Sequence, residues 1–134
     1  MDRTLDELEA NAWGDPPRRA SYLQGTLRAL RRKPIGDFTI EDLRICVGQQ
    51  VGLAWLIPIA ISRLEDNPLA AGDLYPGDLL VAVVRARASM SGRDDLLPRV
   101  TAVVKRARKQ LTGVRARRAH LEHVVRELSD HWPD

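Results

Sequence analysis

The run Val51-Gly-Leu-Ala-Trp-Leu-Ile-Pro-Ile-Ala-Ile61 contains no polar side chain. It is far short of the roughly 18–20 apolar residues a membrane span requires. A segment this short that is apolar on every side belongs at the centre of a folded core, and the rest of the chain has to cover it. Pro58 is compatible with a helix if it lies near the first turn or marks a kink. The β-branched Ile57, Ile59 and Ile61 make a buried strand the competing reading. The continuation Ser62-Arg-Leu-Glu-Asp-Asn-Pro68 reads as a helix terminus and favours the helix. Trp55 is accordingly expected in the core, and residues 53–61 should be the least exposed part of the molecule.

The flanking sequence supplies helical partners. Thr4 and Glu7 match a capping box, so a short helix starts there and ends near Asn11–Gly14. Leu23, Leu27 and Leu30 recur at helical spacing, predicting a second helix over about 20–32, with an arginine-rich outer face, that stops before Pro34. Thr39 is an N-cap with Glu41 and Asp42 in the first turn, predicting a third helix over 40–50, and Gly48 and Gly52 bracket a break at Gln49–Gln50. After a loop at 67–75, Pro76 and Asp78 open a helix to about Ala88 that packs through Leu79, Leu80, Val83 and Val84. Two longer helices follow. Leu96, Val100, Val103, Val104, Ala107 and Leu111 form one apolar stripe, and Leu121, Val124, Val125, Leu128 and Trp132 form another, with Gly113 as the hinge of an antiparallel hairpin. A chain of 134 residues is one domain in length. The expectation is an all-α, single-domain bundle of about six to seven helices over residues 1–134.

Charge comes in blocks that the net value of +3 conceals. Residues 18–33 carry six basic groups and no acid, residues 34–84 carry two basic and seven acidic groups, and residues 99–118 carry eight basic groups and no acid. Such blocks build oppositely charged surfaces suited to different partners. The acidic N-terminus lacks signal-peptide character, and the single cysteine, Cys46, precludes an internal disulfide or a cysteine metal cage, so a cytoplasmic protein without a membrane segment is expected. No cofactor is expected. His120, His123 and Glu127 share a helix face but lack the His-Glu-x-x-His order of a zinc hydrolase, and read as solvated or interfacial histidines beside a salt-bridged glutamate. None of the serines has a nucleophile-elbow setting and the glycines form no phosphate loop, so the chain does not read as an enzyme. The basic 99–118 segment supports a helical nucleic-acid-binding regulator as the alternative function. It contains no aromatic stacking residue, and the solvated back of an amphipathic helix explains it as well.

The acidic middle holds the remaining candidates. Glu41, Asp42, Glu65, Asp66, Asp73 and Asp78, with Trp55 and Tyr75, combine carboxylates that steer a basic protein partner with aromatic anchors, although Asp42 and Asp78 also fit as helix-start groups. Three stretches carry a family resemblance: Pro34-Ile-Gly-Asp-Phe-Thr-Ile-Glu-Asp-Leu-Arg44, Gly48-Gln-Gln50, and Asn67-Pro-Leu-Ala-x-Gly-Asp-x-Tyr-Pro-Gly-Asp-Leu-Leu80. They resemble the contact-dependent growth inhibition immunity proteins. The resemblance covers about residues 20–88 and implies a small cytoplasmic, non-enzymatic antidote that binds the C-terminal toxin domain delivered by a neighbouring bacterium. On that expectation Glu65, Asp66, Asp73, Tyr75, Glu41 and Asp78 form the toxin-binding surface.

Overall fold

The computed structural model describes residues 2–19, 21–112 and 119–133. Seven α-helices make up the described chain: α1 (Leu5–Leu8), α2 (Tyr22–Arg31), α3 (Ile40–Gly48), α4 (Leu53–Asp66), α5 (Asp78–Arg85), α6 (Leu97–Leu111) and α7 (Ala119–His131). Short 3₁₀ turns at Ile35–Asp37 and Arg87–Met90 complete the set. Among the described residues the only extended pairing is an isolated bridge between Ala71 and Pro76. The fold is all-α, and the strand reading of the central run falls away.

Reciprocal capping boxes start the first three helices. Thr4 pairs with Glu7, Ser21 with Gln24, and Thr39 with Asp42, each side chain accepting from the other residue's backbone N–H. These exchanges satisfy amides that the first helical turn leaves without partners. The first helix ends at Leu8, earlier than expected, because Ala10 turns into the left-handed region at φ 50°. α3 stops at Gly48, and Gln50 closes its end at φ 59°.

One core joins all seven helices. Its densest segment is α5, where Asp78 and every residue from Leu79 to Val84 are buried. The expectation that residues 53–61 would be least exposed is therefore corrected. α4 buries Leu56, Ile57, Ala60, Ile61 and Leu64 on one face, while Trp55 lies 42% exposed on the other. An all-apolar run gives no periodic cue to its inward side, and α5 occupies the central place through its contacts with α3, α4 and α7.

The α6 stripe is buried along its whole length, as expected. α7 packs on α5 as well as on α6, burying Leu121, Val124, Leu128 and Trp132, whereas Val125 stays 37% exposed at the edge. The Trp132 indole N–H donates to Thr101 Oγ1 at 3.0 Å, tying the end of α7 to α6. Gly113, the expected hinge, lies outside the described residues.

Candidate functional site

Chain geometry brings the first and third quoted stretches into contact, and the second lines the cleft beside them. The loop after α4 is closed by the Ala71–Pro76 bridge and by Gly77 N–H donating to Leu69 O at 3.1 Å. Gly77, at φ +92°, sets up the start of α5 at Asp78, two residues after the expected opening at Pro76. A side chain there would demand that strained backbone and would meet Val124 at 3.2 Å.

Asp78 organises the loop from below. Its carboxylate, 2% exposed, accepts from Gly72 N–H at 2.7 Å and Leu74 N–H at 3.1 Å. Glu41 on α3 accepts from Asp73 N–H at 2.9 Å and holds Arg44 through both Nε and Nη2. Arg44 Nε also lies 3.6 Å from Asp78. Gly72 fits against α3 because it has no side chain: a Cβ would stand 2.5 Å from Glu41 Oε1 and 3.3 Å from Glu41 Cα. The Arg44 guanidinium holds the Glu41 carboxyl below its ordinary value, against the opposing effect of burial.

Beside the loop, the end of α3 and the outer face of α5 enclose a cleft of about 210 Å³. Val47, Val81, Ala82 and Ala86 give it apolar walls, and Arg44, Gln49, Gln50, Tyr75 and Arg85 give it polar groups. Leu74, 62% exposed, stands at its mouth. Arg85 donates through Nε and Nη2 to Glu127 of α7. Glu127 is also approached by His131 at 3.2 Å and His123 at 3.8 Å, and its carboxyl is lowered chiefly by Arg85. The Tyr75 ring meets His123 edge-on at 5.6 Å, and burial raises its phenol above the ordinary value while Arg85 and Arg44 oppose that rise.

The six acidic-middle residues do not form one patch. Glu41, Asp73, Tyr75 and Asp78 gather at the loop and cleft. Of these, Asp73 presents an exposed carboxylate, whereas Asp78 is buried with its oxygens facing loop amides, so it acts on the surface through the loop it holds. Glu65 and Asp66 lie at the C-terminus of α4, where Glu65 receives Arg99 Nε at 3.1 Å and Nη2 at 2.6 Å. Asp66 is exposed. Arg44, Arg85, Gln49 and Gln50 escaped the sequence-based choice of site residues. The one available cue was that Arg44 and both glutamines lie in the quoted blocks.

The basic stretch does much internal work. Arg106 Nη1 donates to Glu65 O at 2.7 Å, and Arg108 Nη2 to Trp132 O at 2.8 Å, so both satisfy carbonyls at helix ends. Arg99 is clamped by Glu65 through Nε and Nη2. Among the described residues no cluster of three or more His, Cys, Asp or Glu side chains could hold a metal ion, and no helix is long and apolar enough to cross a membrane. Cys46 is buried, and desolvation pushes its thiol up to about 12, so it is a core residue in chemistry as well as position.

Fold and site together define a small all-α protein whose organised surface feature is a small cleft beside a tightly held loop. The family model described as CDI immunity proteins matches residues 7–100, and the chain belongs to that family. No curated protein and no solved structure matches the chain.

Proposed function

We propose that this protein is a cytoplasmic, non-enzymatic antidote that binds the C-terminal toxin domain of its cognate contact-dependent growth inhibition system and blocks it. The observation that carries the reading is the family match over residues 7–100, which includes both sides of the cleft and the loop between them. The loop is built as a contact surface should be: Glu41 and Asp78 fix its backbone from inside, and Asp73, Leu74 and Tyr75 reach the outside. Exposed carboxylates at Asp66 and Asp73 suit a basic region of the toxin, since charge steers encounter and an adjacent tyrosine supplies anchoring area. Glu65 contributes to the same field in a form moderated by Arg99. Among the described residues of the basic stretch, Arg99, Arg106 and Arg108 make contacts within the molecule, so part of its charge is accounted for without a nucleic acid.

The test is co-production of this chain with the toxin domain encoded beside it, followed by growth measurement and calorimetric titration of the purified pair. Protection and a tight one-to-one complex are expected, with D66K/D73K weakening binding at least tenfold while leaving the melting temperature within about 2 °C. Absence of both protection and a complex would refute the reading.

A further inference from the structure

The two cleft arginines are held alike. Arg44 is clamped by Glu41 and Arg85 by Glu127, each through Nε and Nη2. Neither Nη1 makes a hydrogen bond among the described residues. A guanidinium fixed along one edge by a carboxylate keeps donors on its remaining edge and loses little rotamer freedom when they are used. Arg44 and Arg85 line one cleft, with Gln49, Gln50 and the Tyr75 hydroxyl as further polar groups, and the one carboxylate in the lining, Asp78, already accepts from the loop. Among the charged side chains of the cleft, the groups with hydrogen-bonding capacity left over are therefore the two guanidinium edges.

At about 210 Å³ the cleft is below the roughly 300–1,000 Å³ of small-molecule sites and has room for one side chain. Its apolar walls and the exposed Leu74 at its mouth suit a protein surface.

We propose that the cleft is a socket for one acidic side chain, an aspartate or glutamate of the toxin domain, received on the open edges of Arg44 and Arg85, with Gln49, Gln50 and Tyr75 completing the donor set. This rests on the immunity reading and sharpens it. The rim carboxylate Asp73 faces a basic residue of the partner while the cleft takes an acidic one, and that alternation fixes register and rejects toxins with the charges exchanged.

Titration calorimetry with the toxin domain encoded beside this gene tests the socket. R85E should weaken binding roughly 100-fold, Q49A/Q50A roughly tenfold, and R85K, which keeps charge without the planar fork, by an intermediate factor. R85E/E127K restores an internal ion pair, so it separates lost folding from lost recognition; it should melt near the parent and still bind weakly. Reversal of individual toxin carboxylates to lysine should identify one that recovers affinity for R85E. Parent-like binding, within threefold, by both folded R85E/E127K and Q49A/Q50A would overturn the socket while leaving the immunity reading intact. Failure of the unaltered pair to bind would overturn both.

Discussion

Arg31 on one side of the Gln49–Gln50 turn, and Arg44 with Arg85 on the other, show one interaction put to two uses. Arg31 is 1% exposed and spends all three nitrogens: Nε on Asp6 at 2.8 Å, Nη1 on Glu9 at 2.5 Å, and Nη2 on Asn11 O at 3.0 Å. The Trp13 ring lies 4.4 Å from its guanidinium, covering it. With every nitrogen engaged and the side chain buried, no edge faces a partner, so the arrangement is a staple that binds residues 6–13 to α2. Arg44 and Arg85 have similar carboxylate clamps but remain partly open, with side chains 21% and 54% exposed. Closure makes a clamped arginine part of the structure, whereas an open edge leaves donors exposed beside the clamp.

The comparison breaks first at Arg31. R31A leaves the Asp6 and Glu9 carboxylates and the Asn11 carbonyl without their shared donor and removes the support beneath Trp13. A loss of about 3 kcal/mol is expected, discounted from a fully buried network because Glu9 is 33% exposed. Chemical denaturation measures it, and Trp13 should become more accessible to quenchers at denaturant concentrations below the main transition. A loss under 1 kcal/mol would mean that the N-terminal segment is held by Leu5 in the core rather than by the arginine. R85Q should cost less than 1 kcal/mol in the same measurement, as expected for a pair with one largely exposed member.

Arg31 also marks the limit of what the sequence made legible. Helical periodicity placed the helices and most of the core, because buried stripes such as Val100, Val103, Val104 and Ala107 repeat locally. Thr4 and Thr39 were readable caps for the same reason, since the whole exchange lies within four residues. Arg31 was counted with an outward basic face, although it follows Leu27 by one helical turn and the first block of the chain is rich in acids. The ligands that bury it lie 20 to 25 residues away. The cleft was hidden similarly, as Arg85 meets Glu127 across 42 positions, and only the fold decides that Asp78 turns inward while Asp73 faces out. Trp55 failed for the opposite reason: its neighbours are so uniformly apolar that no polar residue marked the exposed side.

Loop support comes next in expected effect. D78A would leave the Gly72 and Leu74 amides without their acceptor and should cost about 2 kcal/mol, or roughly 8 °C in melting temperature. Hydrogen exchange should accelerate at Gly72 and Leu74 well before it does in α5, as expected for local opening. Uniform acceleration across α5 would instead make Asp78 a part of global stability rather than of the loop. G72V should cause the same local loosening by pushing the loop off Glu41, whose backbone Cα is only 3.3 Å from the added carbon.

The smallest effect is that of acid on the two open clamps. Glu41 and Glu127 are held below their ordinary value of 4.5 chiefly by hydrogen bonds from Arg44 and Arg85. A carboxylate lowered on folding contributes its stabilisation fully above the unfolded value and loses it as pH falls through the lower folded value. Stability should therefore be unaffected by these two groups between pH 7 and about 5.5, and their contribution should decline from near pH 4.5 downward. The guanidiniums stay charged throughout that range, so protonation releases them without neutralising them. Carboxyl chemical shifts of Glu41 and Glu127 should follow a common acid limb with the loop amides of Gly72 and Asp73, while E127Q should remove the part due to Arg85. If E127Q leaves the acid limb unchanged, the Arg85 clamp contributes nothing measurable to folding. Its geometry would then have to be justified by binding alone, which the R85E titration examines independently.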